Sequence, residues 1–64
     1  MAYTKNAVVY ATLDCTYIHQ TDLAWLVSLE DSETWIPKSV SNYKQGDDEI
    51  EVEEWWLKAN DIDY

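Results

Sequence analysis

The stretch "GDDEIEVEEWWLKAN", Gly46–Asn60, changes its hydrophobic period halfway along, and the reading of that change decides the fold. Over Glu49–Glu53, Ile50 and Val52 alternate with glutamates. A period of two places Ile50 and Val52 in a core and Glu49, Glu51 and Glu53 in water, as in a strand with one buried face. From Glu53 the acids come first and Lys58 last, the order that suits the macrodipole of a short helix. Glu54 and Lys58 are also spaced i,i+4 in the favourable orientation. Asn60 is expected at a left-handed C′ position, with Ile62 folding back onto the helix.

Further strands are read upstream. "AVVYATLDCTYI" (Ala7–Ile18) alternates as a single first strand. Val9, Ala11, Leu13 and Cys15 fall on its core face, and Val8, Tyr10, Thr12 and Asp14 on the other. "HQTD" (His19–Asp22) reads as a turn, and "LAWLVSLE" (Leu23–Glu30) as a central second strand because it is almost continuously apolar. "DSE" (Asp31–Glu33) closes a tight connection into "TWIPKSV" (Thr34–Val40). Pro37 has no N–H for a ladder, so this third strand belongs at an edge or a bend. Trp25 and Trp35 are expected opposite one another in the core. "SNYKQGDD" (Ser41–Asp48) reads as the longest loop, with Gly46 free to take a positive φ. The expectation is a mostly-β single domain over residues 1–64. Its form is a small, strongly bent antiparallel sheet or SH3-like barrel of four to five strands with a short C-terminal helix.

At 64 residues the chain is near the lower limit for a single core, and its one cysteine rules out an internal disulfide. Aromatic bulk is the expected compensation: four Trp and five Tyr, each able to bury ~150–250 Å². The lone thiol suggests a reducing compartment. The apolar run near the N-terminus is too short and interrupted for a signal peptide or membrane span, so a cytoplasmic protein is expected.

Candidates for catalysis are few. His19 is expected in an exposed turn and Cys15 as a buried, inert thiol. One glycine cannot form a phosphate loop. Gly46 precedes the acids and Ile50 and Val52 interrupt them, unlike a calcium-binding loop. One His and one Cys cannot complete a zinc site. The reading is of a non-enzyme with no cofactor and no metal.

Charge is the feature that points to function. Thirteen Asp and Glu against four Lys, with no Arg, give a net charge of −9. Nucleic acid and anionic membrane repel such a chain, and basic surfaces attract it. Asp47, Asp48, Glu49, Glu51, Glu53 and Glu54 form the main acidic group, with Glu30, Asp31 and Glu33 a second at the tip of a predicted hairpin. Alternate strand residues lie ~6.6–6.8 Å apart, about two phosphate intervals along one DNA strand. Trp55 and Trp56 are adjacent on a helical turn, ~100° apart, so full burial of both is not expected. Whichever is exposed is an aromatic anchor beside carboxylates. Two plainer readings stay open: acidity that only confers solubility, and a Trp pair that only covers the open end of the sheet.

Two parts of the chain together resemble a family. "AWLVS" (matching at Ala24–Val27), "WIPKS" (Trp35–Ser39) and "EW" (Glu54–Trp55) are similar to small phage and prophage-encoded SH3-like or bent-sheet domains, over roughly Ala7 to Ile62. Where that family ends in a basic or glycine stretch, this chain has the acidic "KANDIDY". The compact, acidic character is also similar to small anti-CRISPR proteins, in particular the very small type I-C inhibitors. That resemblance implies a monomeric DNA mimic in the cytoplasm of an infected host. Its partner would be a basic nucleic-acid-binding protein, a CRISPR effector (Cascade) subunit whose positively charged, PAM-reading groove it occupies. The alternative is a structural or accessory phage module that docks on another protein through apolar surface.

Overall fold

The computed structural model describes residues 8–30 and 32–64. Ala7, at the start of the expected first strand, and Asp31, in the expected acidic hairpin tip, lie outside the described residues. The elements run β1 (Tyr10–Asp14), β2 (Thr16–Gln20), β3 (Ala24–Ser28), β4 (Glu33–Pro37), a 3₁₀ turn (Lys38–Val40), β5 (Ser41–Asn42), β6 (Glu49–Glu53) and α1 (Glu54–Ala59). Strands β1, β6 and β5, in that order, make a first antiparallel sheet, and β2, β3 and β4 make a second. The fold is mostly β with a short C-terminal helix, as the alternating runs predict.

Among the described residues the strands number six rather than four or five, for two reasons. First, the expected strand Ala7–Ile18 divides at Cys15, whose N–H leaves the ladder to donate to the Asp48 carbonyl at 2.8 Å. The alternation carries straight through this corner, since Leu13 and Cys15 are both buried. A period-two pattern cannot reveal a strand that passes from one sheet to another. Second, Ser41–Asn42 pairs with β6 inside the expected loop, as Ser41↔Val52 and Asn42↔Glu51. Two residues are too few to carry a pattern.

Three further expectations are corrected. Val9 is 60% exposed because the ladder begins only at Tyr10; its carbonyl accepts the Glu54 N–H at 2.9 Å instead. His19 and Gln20 belong to β2, and the turn falls at Thr21–Leu23. There the Thr21 hydroxyl accepts from the N–H groups of Leu23 and Ala24, a local bond that favours turning. Trp25 faces Ile36, while Leu26 faces Trp35, so the two tryptophans lie one register step apart and on opposite faces of the second sheet.

β3 is central and β4 is an edge strand, with Pro37 at its last paired position, as their compositions predict. The core between the sheets is Leu13, Ile50 and Val52 from one inner face and Val27 and Ile36 from the other. Cys15, Val40 and Leu57 close it. Its aromatic flank is Tyr17, Trp25 and Tyr43, edge-to-face at 6.4 and 4.9 Å, with the Lys38 ammonium 4.4 Å from the Trp25 ring centre. Gly46 takes φ 95° in the turn closed by the Asp47 N–H on the Lys44 carbonyl.

Six residues are too few for an independently stable helix, so tertiary contact holds α1: Leu57 is fully buried and Trp56 packs on the core. Its C-terminus is a Schellman motif one residue later than expected. Asn60 is the cap at φ −112°, and Asp61 takes the left-handed position at φ 56°. Ile62 N–H then reaches the Leu57 carbonyl at 3.0 Å and Asp61 N–H the Lys58 carbonyl at 3.3 Å. Ile62 folds back on the core as expected.

Candidate functional site

β6 is the middle strand of the first sheet, so its outward glutamates stand in the interior of a surface, not along an edge. Ile50 and Val52 are fully buried beneath them. Register sets the neighbours on the outer face: Asp14 opposite Glu49, Thr12 and Asn42 on either side of Glu51, and Tyr10 opposite Glu53. Directly opposed side chains have Cβ atoms ~4.5–5.5 Å apart, and like charges there are unfavourable. Asp14 and Glu49 form such a pair.

Asp47 and Asp48 are exposed at the loop exit and extend this surface. The Asp48 carbonyl ties the loop to the corner at Cys15. Two open depressions flank the corner and share Thr12, Asp14 and Asp48 as lining. One continues to Asp47, Glu49 and Glu51, with Lys44 as a cation on its wall. The other continues to Glu30 and Asp63. Asp14 and Asp48 thus join Glu30, from the second expected acidic group, to the β6 band.

The remaining site residues divide. Glu53 is partly buried, and its carboxylate accepts the Trp55 indole N–H at 2.5 Å. Glu54, also partly buried, opens α1. Trp55 is 58% exposed while Trp56 packs on the core, so the exposed anchor of the pair is Trp55. Glu33 is separated from the band: it pairs with Ser28 on the outer face of the second sheet. Asp14 is a site residue that the sequence-based selection passed over. Its outward parity in the first strand was legible, but its place opposite Glu49 depends on pairing between residues 35 apart in sequence.

The carboxylates also act on the corner beneath them. Burial pushes the Cys15 thiol above its ordinary value; a hydrogen bond with Tyr43 opposes this, and Asp48, Asp14 and Asp47 push it further up. Tyr43 is pushed up to about 12, by burial first, then by its bond and charge coupling to Cys15 and by Asp47. Its hydroxyl donates to the Asp47 carbonyl at 2.8 Å. Cys15 is therefore a neutral, enclosed thiol at ordinary pH. His19 is exposed on β2, edge-on to Trp35 at 6.4 Å. Among the described residues, no three His, Cys, Asp or Glu side chains are grouped to hold a metal ion. No described helix is long and apolar enough to cross a membrane. No protein-family model matches the chain, nor does any curated protein or solved structure.

Proposed function

We propose that the chain is a non-catalytic inhibitor that occupies the basic nucleic-acid groove of a partner by presenting carboxylates in place of phosphates. The observation that carries this reading is the outer face of the first sheet. There Glu49 and Glu51 stand mid-sheet with Asp14 directly across from Glu49, joined by Asp47 and Asp48. An opposed acid pair costs stability in the free protein and is relieved by a cationic partner. The resemblance to small anti-CRISPR proteins and phage SH3-like domains narrows the proposal: a phage-borne protein, acting in the host cytoplasm on the PAM-reading groove of a Cascade subunit. The neutral thiol of Cys15 and the edge-on packing of His19 against Trp35 support the non-catalytic part.

The test is target-DNA binding by a purified type I-C effector complex, with the protein titrated in at low and high salt. Inhibition is expected to weaken steeply as salt rises. Reversing Asp14, Glu49 and Glu51 to lysine is expected to abolish it while leaving the fold intact. Unchanged inhibition by that variant would sink the proposal.

The accessory-module reading is favoured by a different observation, the apolar outer face of the second sheet. Trp35 and Ile18 are 46% and 40% exposed there.

A further inference from the structure

The strands at the edges of the two sheets are not alike. In the second sheet, β4 ends on Pro37, and β2 is bulged, its register shifting between Tyr17 and His19. In the first sheet, β5 is only two residues long. Prolines, bulges and short strands all blunt an edge against further pairing. β1 carries none of these devices: it is five residues in unbroken register with β6.

The ladder shows which main-chain groups β1 leaves over. The Glu54 N–H donates to the Val9 carbonyl at one end, and the Cys15 N–H to the Asp48 carbonyl at the other. Bonded and non-bonded pairs alternate in an antiparallel ladder, so Ala11 and Leu13 bond to β6 and Tyr10, Thr12 and Asp14 do not. The N–H and C=O groups of these last residues point away from the sheet. Among the described residues they have no other main-chain partner. A depression follows this edge, with Leu13, Cys15 and Leu29 as apolar lining and Asp14, Glu30 and Asp63 as carboxylates. Among the described residues no lysine lines it.

We propose that β1 takes an extended basic segment of a partner as a further antiparallel strand of the first sheet. The inference rests on the reading of the acidic band as a surface for a basic partner, and adds the form of the segment that the partner brings. Two observations select that occupant. Outward N–H and C=O groups at every second residue are matched by another extended main chain, as in recognition by strand addition. The side chains beside them select its sequence. On the outer face, alternate residues of the added strand lie next to Tyr10, Thr12 and Asp14, with Glu51 and Glu49 one strand spacing, ~4.8 Å, further in. Lysine or arginine fits there, its long stem reaching across to the second row. The residues between them face the depression beside Leu13 and Leu29, where apolar side chains fit. A second copy of the chain is the wrong occupant, because it brings a charge of −9 to the same carboxylates.

The probe is a capped peptide of about seven residues that alternates lysine and valine. Binding is expected with a Kd on the order of 100 µM. With the peptide at about ten times its Kd, amide exchange at Thr12 and Asp14, followed by NMR, is expected to slow about tenfold. Two isomers of the peptide carry the same charge but are N-methylated at the lysines or at the valines. In antiparallel pairing the lysine N–H groups face β1, so methylation there is expected to weaken binding at least tenfold, and methylation at the valines to leave it in place. Thr12→Pro removes an outward N–H without touching the β6 ladder and is expected to cost the parent peptide as much. No binding of the parent peptide overturns the proposal, as does equal binding by the two methylated peptides or a greater loss at the valines. Pairing of β1 with a second copy, seen as a doubled mass that Thr12→Pro abolishes, also overturns it. These results leave the inhibitor reading standing; that reading fails instead when reversal of Asp14, Glu49 and Glu51 leaves inhibition unchanged.

Discussion

At the scale of single residues, the band and the core meet at Cys15. Tyr43 holds its proton more firmly in the folded chain, with a pKa of about 12, than its ordinary 10.0. A raised folded pKa stabilises the fold fully below the unfolded value, and that contribution is lost as pH climbs through the folded one. Stability is therefore expected to fall between about pH 10 and 12, after an earlier onset from Cys15, whose ordinary value is 9.0. Tyr43→Phe removes the upper part of that slope, as thermal melts at stepped alkaline pH will show; an identical slope in the variant refutes the assignment. The acid pair gives an opposite kind of test. Asp14→Asn removes a like charge opposite Glu49 and is expected to stabilise the fold by ~0.5 kcal/mol, measured by urea unfolding, while weakening inhibition. A gain on both measures, or a loss on both, contradicts a surface kept for binding.

At the scale of elements, the sequence was most legible where the pattern was longest. Glu49–Glu53 and the helix that follows occur at the expected residues, because alternation and then acids before Lys58 leave little choice. In the first strand the expected parity holds from Ala11 to Cys15 but not at Val9, and the expected extent is too long, since Leu13 and Cys15 keep one parity across a corner made by the partner sheet. One register step decided the fate of Trp35: with Ser28 opposite Glu33, Trp25 packs inward and Trp35 outward. That step is set by the hairpin connection, which hydrophobic pattern does not determine. The helix end shows a similar slip, with Asp61 and not Asn60 in the left-handed region at φ 56°. Asp61→Gly relieves a side-chain penalty of ~1 kcal/mol and is expected to raise the melting temperature by a few degrees. A lower melting temperature would show that the Asp61 side chain contributes more than its strain costs.

At the scale of the whole molecule, charge and apolar surface are sorted onto opposite sheets. Glu49, Glu51 and Asp14 occupy one outer face, and Ile18, Leu26 and Trp35 the other. Binding to a basic partner through the first face is therefore expected to weaken steeply as ionic strength rises, whereas docking through the second face is expected to change little. Partner binding measured at low and high salt separates the two, and binding that does not weaken with salt contradicts a role for the charged face.

By itself the sequence determined the class of the fold, the inward place of Leu13, Cys15, Ile50 and Val52, the place of Pro37 at an edge and the excess of negative charge. These follow from local periodicity, backbone chemistry and composition, which need no knowledge of partners. Only the tertiary structure decided that Asp14 faces Glu49, that Glu30 joins the band while Glu33 leaves it, and that Trp35 and Ile18 lie on an exposed face. Each of those depends on which strand pairs with which and in what register, and pairing between residues distant in sequence is settled by the closing of the core.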